Sequence, residues 1–429
     1  MKAKNIFLCA ALGLLLPVFV SADETPSELE MFSSSEVVTQ AASTAAAPGE
    51  LKTLAVSGQV ISVMEDVVYS SSTADPLNTY ILGTMLFDAR LKNGVKAFGN
   101  LEASYNPRLQ QSTATLRELF VDFNIADRVY FRTGKQVLQW GRCYLWNPTD
   151  LVNVEKVPFV PKIGSREGAY GLKFHIPFGT KYNIYGFLDT GHAGTDRDLG
   201  GALKFELLTG RTEMAFSGWA KRDHSPVVGY DFSSRLGDVD IAGEVSAAHR
   251  DNDLFIRSDN GVLETYRKDG EWPVKAAIDF GKGFRLGNFN DRLTVTTELF
   301  YNQDGYVKSP FRDNTGYTFS GPLSIALPGG TKALYLLGNG LYTPNYLARY
   351  YGAVFASISR FIITDLTLNT NYIHNFNDNS GALSAGVSYK NLNDFSAGLL
   401  ALAPLGPARG EYTFSGAKLF VQLTAGISF

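Results

Sequence analysis

The sequence predicts an all-β fold, a closed antiparallel transmembrane β-barrel of about 18 strands, with 16 as the alternative count. Three observations predict it. Beyond residue 51, apolar and polar residues alternate with period two through run after run. The connections between those runs are sorted into tight and long. A secretory leader precedes them, and nothing after it approaches the roughly 18 to 20 apolar residues that a spanning helix needs. Composition agrees: Gly is 42 of 429 residues, aromatics reach 13% and charged residues only 19%, usage that suits one large β protein. The formal charge of −3 supplies no basic field for nucleic acid, which excludes that class of partner.

Residues 1–22 read as a cleavable signal peptide. Lys2 and Lys4 form its positive end, residues 6–20 an apolar run broken by Gly13 and Pro17, and Val20-Ser21-Ala22 a small-residue cleavage site. Residues 23–50 are polar and small and read as a flexible periplasmic lead, too short for the plug of a gated receptor. The barrel takes residues 51–429. Its last segment sets Leu419, Val421, Leu423, Ala425, Ile427 and Phe429 against Lys418, Gln422, Thr424, Gly426 and Ser428, with Phe420 on the polar face. Leu119, Val121, Phe123 and Ile125 oppose Glu118, Asp122 and Asn124 in the same way, as do Val95, Ala97, Leu101 and Ala103 against Lys96, Asn100, Glu102 and Ser104. Such runs have the length that a tilted strand needs to cross a bilayer.

Junctions after even-numbered strands are tight, among them Asn93-Gly94, Ala126-Asp127, Thr209-Gly210, Leu236-Gly237 and Leu392-Asn393. Those after odd-numbered strands are long: 68–78, 106–113, 139–165, 190–197, 249–272, 303–345 and 404–411. A soluble β-sandwich alternates too, yet has no reason to sort its connections, whereas a barrel with short periplasmic turns and long external loops does. A sheet in hydrocarbon must also close, because an open edge leaves backbone groups unsatisfied. Within 249–272, Asp259-Asn260-Gly261 caps either two tall strands or an extra small hairpin.

The terminal Phe429 after alternating aliphatic residues resembles the C-terminal signal that the barrel-assembly machinery of bacteria reads in outer-membrane proteins. Leu116 to Asp122, then Gly134-Lys135-Gln136, Trp140-Gly141-Arg142 and Asn147-Pro148-Thr149-Asp150, resemble a widespread group of porin-like barrels over about residues 115–170. The resemblance implies a bacterial outer-membrane location, contact with outer-membrane lipid, and Phe429 as the handle for assembly. Elsewhere the chain resembles the group only in barrel character, so no solute carries over.

The third long connection, 139–165, resembles in place and length the general-porin loop that folds inward and narrows the lumen. It carries Arg142, Asp150, Glu155, Lys156 and Lys162, followed by Arg166 and Glu167, a mixed ring with a small positive margin that would favour small polar solutes. The competing reading leaves these charges solvated outside. Glu118 and Asp122, beside Arg128, Tyr130, Arg132 and Gln136 across the tight turn, form a polar ladder that either lines a pore or only braces a wall; Asp88, Arg90 and Lys92 extend it. Tyr342, Tyr346, Tyr350 and Tyr351 suit an interface belt better than a sugar slide.

No catalytic set stands out. The histidines are scattered, His374 with Asn375 and Ser380 lies across a loop, the Asp196/Asp198 and Asp251/Asp253 pairs lack the further ligands of a calcium loop, and Cys143 is a lone thiol beyond the leader. No cofactor, catalytic residue or metal ligand is expected. The functional expectation is a channel for passive diffusion of small polar solutes, with homo-oligomers possible. The alternative is a surface-exposed binding or adhesion barrel that uses loops 249–272 and 303–345.

Overall fold

The computed structural model describes residues 54–69, 77–91, 94–138, 140–153, 168–191, 193–250, 253–268, 272–319, 330–391 and 394–429. The signal peptide and lead expected over 1–50 lie outside the described residues, as do Glu155, Lys156, Lys162, Arg166, Glu167, Lys92 and Asp251.

The strands run β1 (Leu54–Tyr69), β2 (Asn78–Arg90), β3 (Lys96–Asn106), β4 (Gln111–Ile125), β5 (Val129–Gln136), β6 (Ala169–Phe178) and β7 (Tyr182–Asp189). Next come β8 (Gly200–Thr209), β9 (Thr212–Lys221), β10 (Val227–Leu236) and β11 (Val239–Ala248). Two short strands follow, β12 (Phe255–Asp259) and β13 (Val262–Tyr266), then the tall β14 (Val274–Leu286) and β15 (Phe289–Asn302). A brief β16 (Thr318–Phe319) and helix α1 (Lys332–Gly338) precede β17 (Tyr350–Ile358), β18 (Leu366–Asn375), β19 (Ser380–Lys390), β20 (Phe395–Leu405) and β21 (Ala417–Ser428).

Each tall strand pairs antiparallel with the next, and β21 returns to β1 from Gln59 opposite Ser428 to Tyr69 opposite Ala417. The result is a closed 18-stranded barrel, which settles the expected count at 18 over 16. The alternation has a physical reading on every strand. On β8, Leu203 and Phe205 are exposed while Ala202 and Lys204 are buried; on β15, Leu299 is exposed while Glu298 and Phe300 are buried. An apolar outer face and a polar or small inner face are what a bilayer outside and a filled lumen demand.

The structure sharpens three details of the sequence reading. First, the long-loop rim also holds short connections, 222–226 and 376–379, so rim identity follows from strand direction rather than from length alone. Second, the ambiguous stretch forms the small hairpin: β12 pairs with β13 around Asn260, and β13 pairs with β16 in a separate sheet above the rim. Third, Phe420 is buried against Leu400 and Leu402 with Val67 beside them, an apolar patch on the inner face of β20 and β21.

The external connections pack into a cap. Ile256, Phe311, Leu336, Tyr342 and Leu347 form one apolar cluster, with Phe414 stacked on Phe311 at 4.4 Å between ring centres. Leu263, Tyr317 and Tyr335 form a second. The four tyrosines singled out above divide. Tyr342 and Tyr351 are buried and donate to Glu411, Tyr346 packs on Phe300, and only Tyr350 lies on the exposed face, beside Tyr301.

Candidate functional site

Residues 137–138 leave the top of β5, and the segment 140–153 lies along the inner face of β8 to β17. Inward residues on that wall are small where the loop rests: Ala202, Ala242, Ala277 and Ala353 are all buried beneath it. Leu138, Trp140, Leu151 and Val152 pack on the β7–β10 side against Phe187 and Trp219, and Cys143, Leu145 and Trp146 pack on the β11–β17 side. The Trp146 indole stacks on Phe300, 5.4 Å between ring centres and 6° from parallel, and its Nε1–H donates to the Asn345 carbonyl at 2.8 Å.

Acids from six strands complete the contact. Glu206, Glu213 and Asp231 enclose the Arg142 guanidinium, with Glu206 Oε2 at 2.9 Å from Nη2. Glu244 accepts the backbone N–H of Cys143 at 2.7 Å and both the N–H and hydroxyl of Thr149 at 3.0 and 2.8 Å. Asp279 accepts from Tyr144 N at 3.1 Å, and Glu298 takes Leu145 N and Trp146 N at 2.7 Å each. Lys204 on β8 donates to the Trp140 carbonyl at 2.6 Å.

The register explains why the loop is needed. Asp231 stands directly opposite Glu244, and Asp279 directly opposite Glu298. Like charges in direct cross-strand pairs repel. A guanidinium and a run of backbone N–H groups, aimed at them in a low-dielectric interior, offset that repulsion through charge-assisted hydrogen bonds.

This geometry also gives the quoted motifs a physical role. A Cβ at Gly141 would meet Asn147 Cβ at 2.5 Å and Glu244 Oε1 at 2.7 Å, so the loop closes on itself only with glycine there. Asn147 donates to the Cys143 carbonyl, and the Asp150 N–H returns to the Asn147 carbonyl at 3.1 Å. Gly134 adopts φ +125° where any Cβ would strike the Leu119 carbonyl at 2.2 Å. Gln136 is fully buried and donates to the Gly171 carbonyl at 3.2 Å.

The predicted site residues divide. Arg142 and Asp150 both lie buried in the docked loop. Asp122 and Arg132 face one another across β4 and β5 in a two-pronged pair at 2.6 and 2.9 Å, with Arg132 stacked 3.8 Å over the Phe120 ring. Glu118 accepts Val137 N at 2.9 Å, so it holds the start of the loop. Arg128 sits exposed in the tight turn at the opposite rim, its N–H donating to the Ile125 carbonyl. Glu155, Lys156, Lys162 and Arg166 fall outside the described residues. Sequence reasoning missed the six wall acids and Lys204; the signal was present, one inward acid on each of β8, β9, β10, β11, β14 and β15.

Other candidates resolve by position. Asn375 and Ser380 are register partners on the inner face, while His374 packs against Tyr372 and edge-on to Phe376 on the outer one, so the histidine and serine do not meet. Burial, then Glu244 and Glu298, push the Cys143 thiol far above its ordinary range. Asp253 pairs with Lys275 at 2.9 Å, and among the described residues no group of three His, Cys, Asp or Glu is placed to hold a metal.

These features define a closed transmembrane barrel with an inward-folded third loop. No protein-family model and no curated protein matches the sequence. Solved structures do match in fold, among them three from Pseudomonas aeruginosa. OccD3 (OpdP) is similar over 90% of this chain and 93% of its own, with TM-score 0.52 and 9% identity. OccK2 (OpdF) in complex with glucuronate is similar over 89% and 99%, with TM-score 0.53 and 11% identity. The outer membrane protein OpdK is similar over 89% and 100%, with TM-score 0.51 and 9% identity. At such identities the likeness is one of fold.

Proposed function

We propose that this protein is a bacterial outer-membrane channel for passive diffusion of small polar solutes, narrowed by the loop over 139–165. The observation that carries this reading is the loop segment 140–150 held against the inner wall by carboxylates from six strands. A segment so fixed occupies cross-section permanently, which is what a constriction requires. Tight turns then face the periplasm and the packed cap faces outward. Fold likeness to OpdK, an outer membrane protein, and to OccK2, crystallised with glucuronate, supports the location and the class of cargo.

Around the docked segment the described charges include Arg142 and Lys204 against Asp150, Glu206, Glu213, Asp231, Glu244, Asp279 and Glu298, an acidic surplus. Lys156 and Lys162 offset part of that surplus in this reading. Neutralising both is expected to shift the reversal potential toward cation preference, and deleting residues 147–160 to raise single-channel conductance in planar bilayers. Unchanged conductance and reversal potential in folded variants would remove the constriction.

A second reading, a binding barrel whose external face does the recognition, is favoured by the separate sheet and apolar clusters of the cap. Stepwise conductance from the purified protein decides between the two; a silent bilayer selects the second.

A further inference from the structure

The tight turn between β17 and β18 departs from the other turns of its rim. It runs Ser359-Arg360-Phe361-Ile362-Ile363-Thr364-Asp365, and Ile362 is 81% exposed with Ile363 beside it also exposed. Ile362 adopts φ +64°, a conformation costly for a β-branched side chain, where the adjoining β14–β15 turn uses Gly287 and other turns of the rim use Gly210 and Gly237. Neither the strain nor a run of exposed apolar residues is rewarded by water.

The adjoining β14–β15 turn extends the same surface. Phe284, Leu286 and Phe289 are exposed there. Cations are threaded among the rings: Lys282 lies 5.4 Å from the Phe284 centre, and Arg292 and Arg360 lie 5.7 and 4.4 Å from that of Phe289. Arg285 donates to the Gly287 carbonyl, and Arg292 to the Ser359 and Arg360 carbonyls. Among the described residues none of these four cations has a carboxylate partner, unlike Arg235 on the next turn, which Asp240 holds at 2.6 Å. Within these two turns Asp291 and Asp365 are the acids, two against four cations, while Asp240 on the flank is held by Arg235.

We infer that this sector of the tight-turn rim is a docking site for anionic phospholipid, with Ile362 and Ile363 seated at the headgroup–acyl boundary and Arg360, Arg292 and Arg285 receiving the phosphate. Charge complementarity selects the occupant: guanidinium groups without a carboxylate beside exposed rings suit a phosphodiester above hydrocarbon, since the apolar stems and rings stay in the chains while the charged heads meet the phosphate. The site rests on the barrel spanning a bilayer and is independent of whether the lumen conducts.

Two measurements on the full chain carrying Cys9→Ser test it. A nitroxide on Ile362→Cys, with Cys143 too buried to label, is expected to collide more with oxygen than with a water-soluble nickel chelate in phosphatidylglycerol vesicles; the reverse order, a turn projecting into water toward some other partner, overturns the proposal. In native mass spectrometry from a neutral detergent, Arg360→Gln is expected to weaken retention of phosphatidylglycerol about fivefold, one basic group's share, and to leave phosphatidylcholine unaffected. Ile362→Asn, which suits the backbone better and so folds, is expected to lose the oxygen-accessible position when a label is carried at Ile363. Equal phosphatidylglycerol retention in Arg360→Gln, or an equal loss in Arg235→Gln, sinks the site.

Discussion

Arg142 illustrates how much of this lumen depends on one side chain. Its guanidinium is about as buried as an arginine becomes, and burial alone would oppose its charge; Asp231, Glu206 and Glu213 overcome that and hold it protonated. Removing one member of a buried charge cluster costs more than the cluster contributes, because the remaining charges stay desolvated. Arg142→Gln is therefore expected to lower stability by about 3 to 5 kcal/mol, seen as an earlier loss of the heat-modifiable folded band on gels, and to make single-channel current noisier as the loop detaches. Wild-type stability and quiet current in that variant would show the three acids to be satisfied otherwise. The tripeptide Trp140-Gly141-Arg142 was legible in the sequence as part of the porin-like stretch and of the inward-folding connection. Its partners were not, since each acid sits alone on its own strand and Glu298 lies 153 residues from the Leu145 N–H it accepts.

At the scale of elements, the external cap is held at one buried carboxyl. Glu411, in the connection between β20 and β21, accepts from Tyr351 and Asn375 at 2.7 Å each, from Asn345 N at 3.1 Å and from Tyr342 at 3.2 Å, with Asp378 and Tyr412 packed nearby. Burial pushes its pKa up to about 7 from an ordinary 4.5, and Asp378 adds to the shift. An acid with a raised folded-state pKa binds its proton more tightly when docked, so docking is strongest below about pH 4.5 and weakens as pH rises toward 7. Amide exchange over 342–345 and 411–412, corrected for intrinsic rates, should be slower at pH 5 than at pH 8, and Glu411→Gln should flatten that difference. An unchanged profile in the glutamine variant would place the titration elsewhere. The hairpin β12–β13 stayed ambiguous in sequence because Asp259-Asn260-Gly261 turns a short ribbon as readily as a tall one; what decides is the pairing of Val262 and Leu263 with Thr318 and Phe319, a long-range choice that no local pattern carries.

For the whole molecule, strand number, direction and the lipid-facing positions were readable because a bilayer enforces period two and closure over every strand. Lumen contents were not, since a buried inner face tolerates alanine, phenylalanine and glutamate alike once a loop covers it. Closure itself ends at Phe429, whose N–H and carbonyl exchange hydrogen bonds with Gly58 at 2.9 and 2.8 Å, with the aromatic ring over the Gly58 backbone. We propose that this terminal residue is the assembly handle, and removing it should leave unfolded protein in the periplasm; normal amounts of folded barrel would show the seam to close without it. The row of wall acids ties the docked loop to that assembly. Until β15 has joined β14, Glu298 is absent and the Leu145 and Trp146 N–H groups lack the carboxylate that receives them. A half-built barrel thus leaves the loop's last amides without their acceptors, so the docked segment is expected to reach its full order only when the wall is complete.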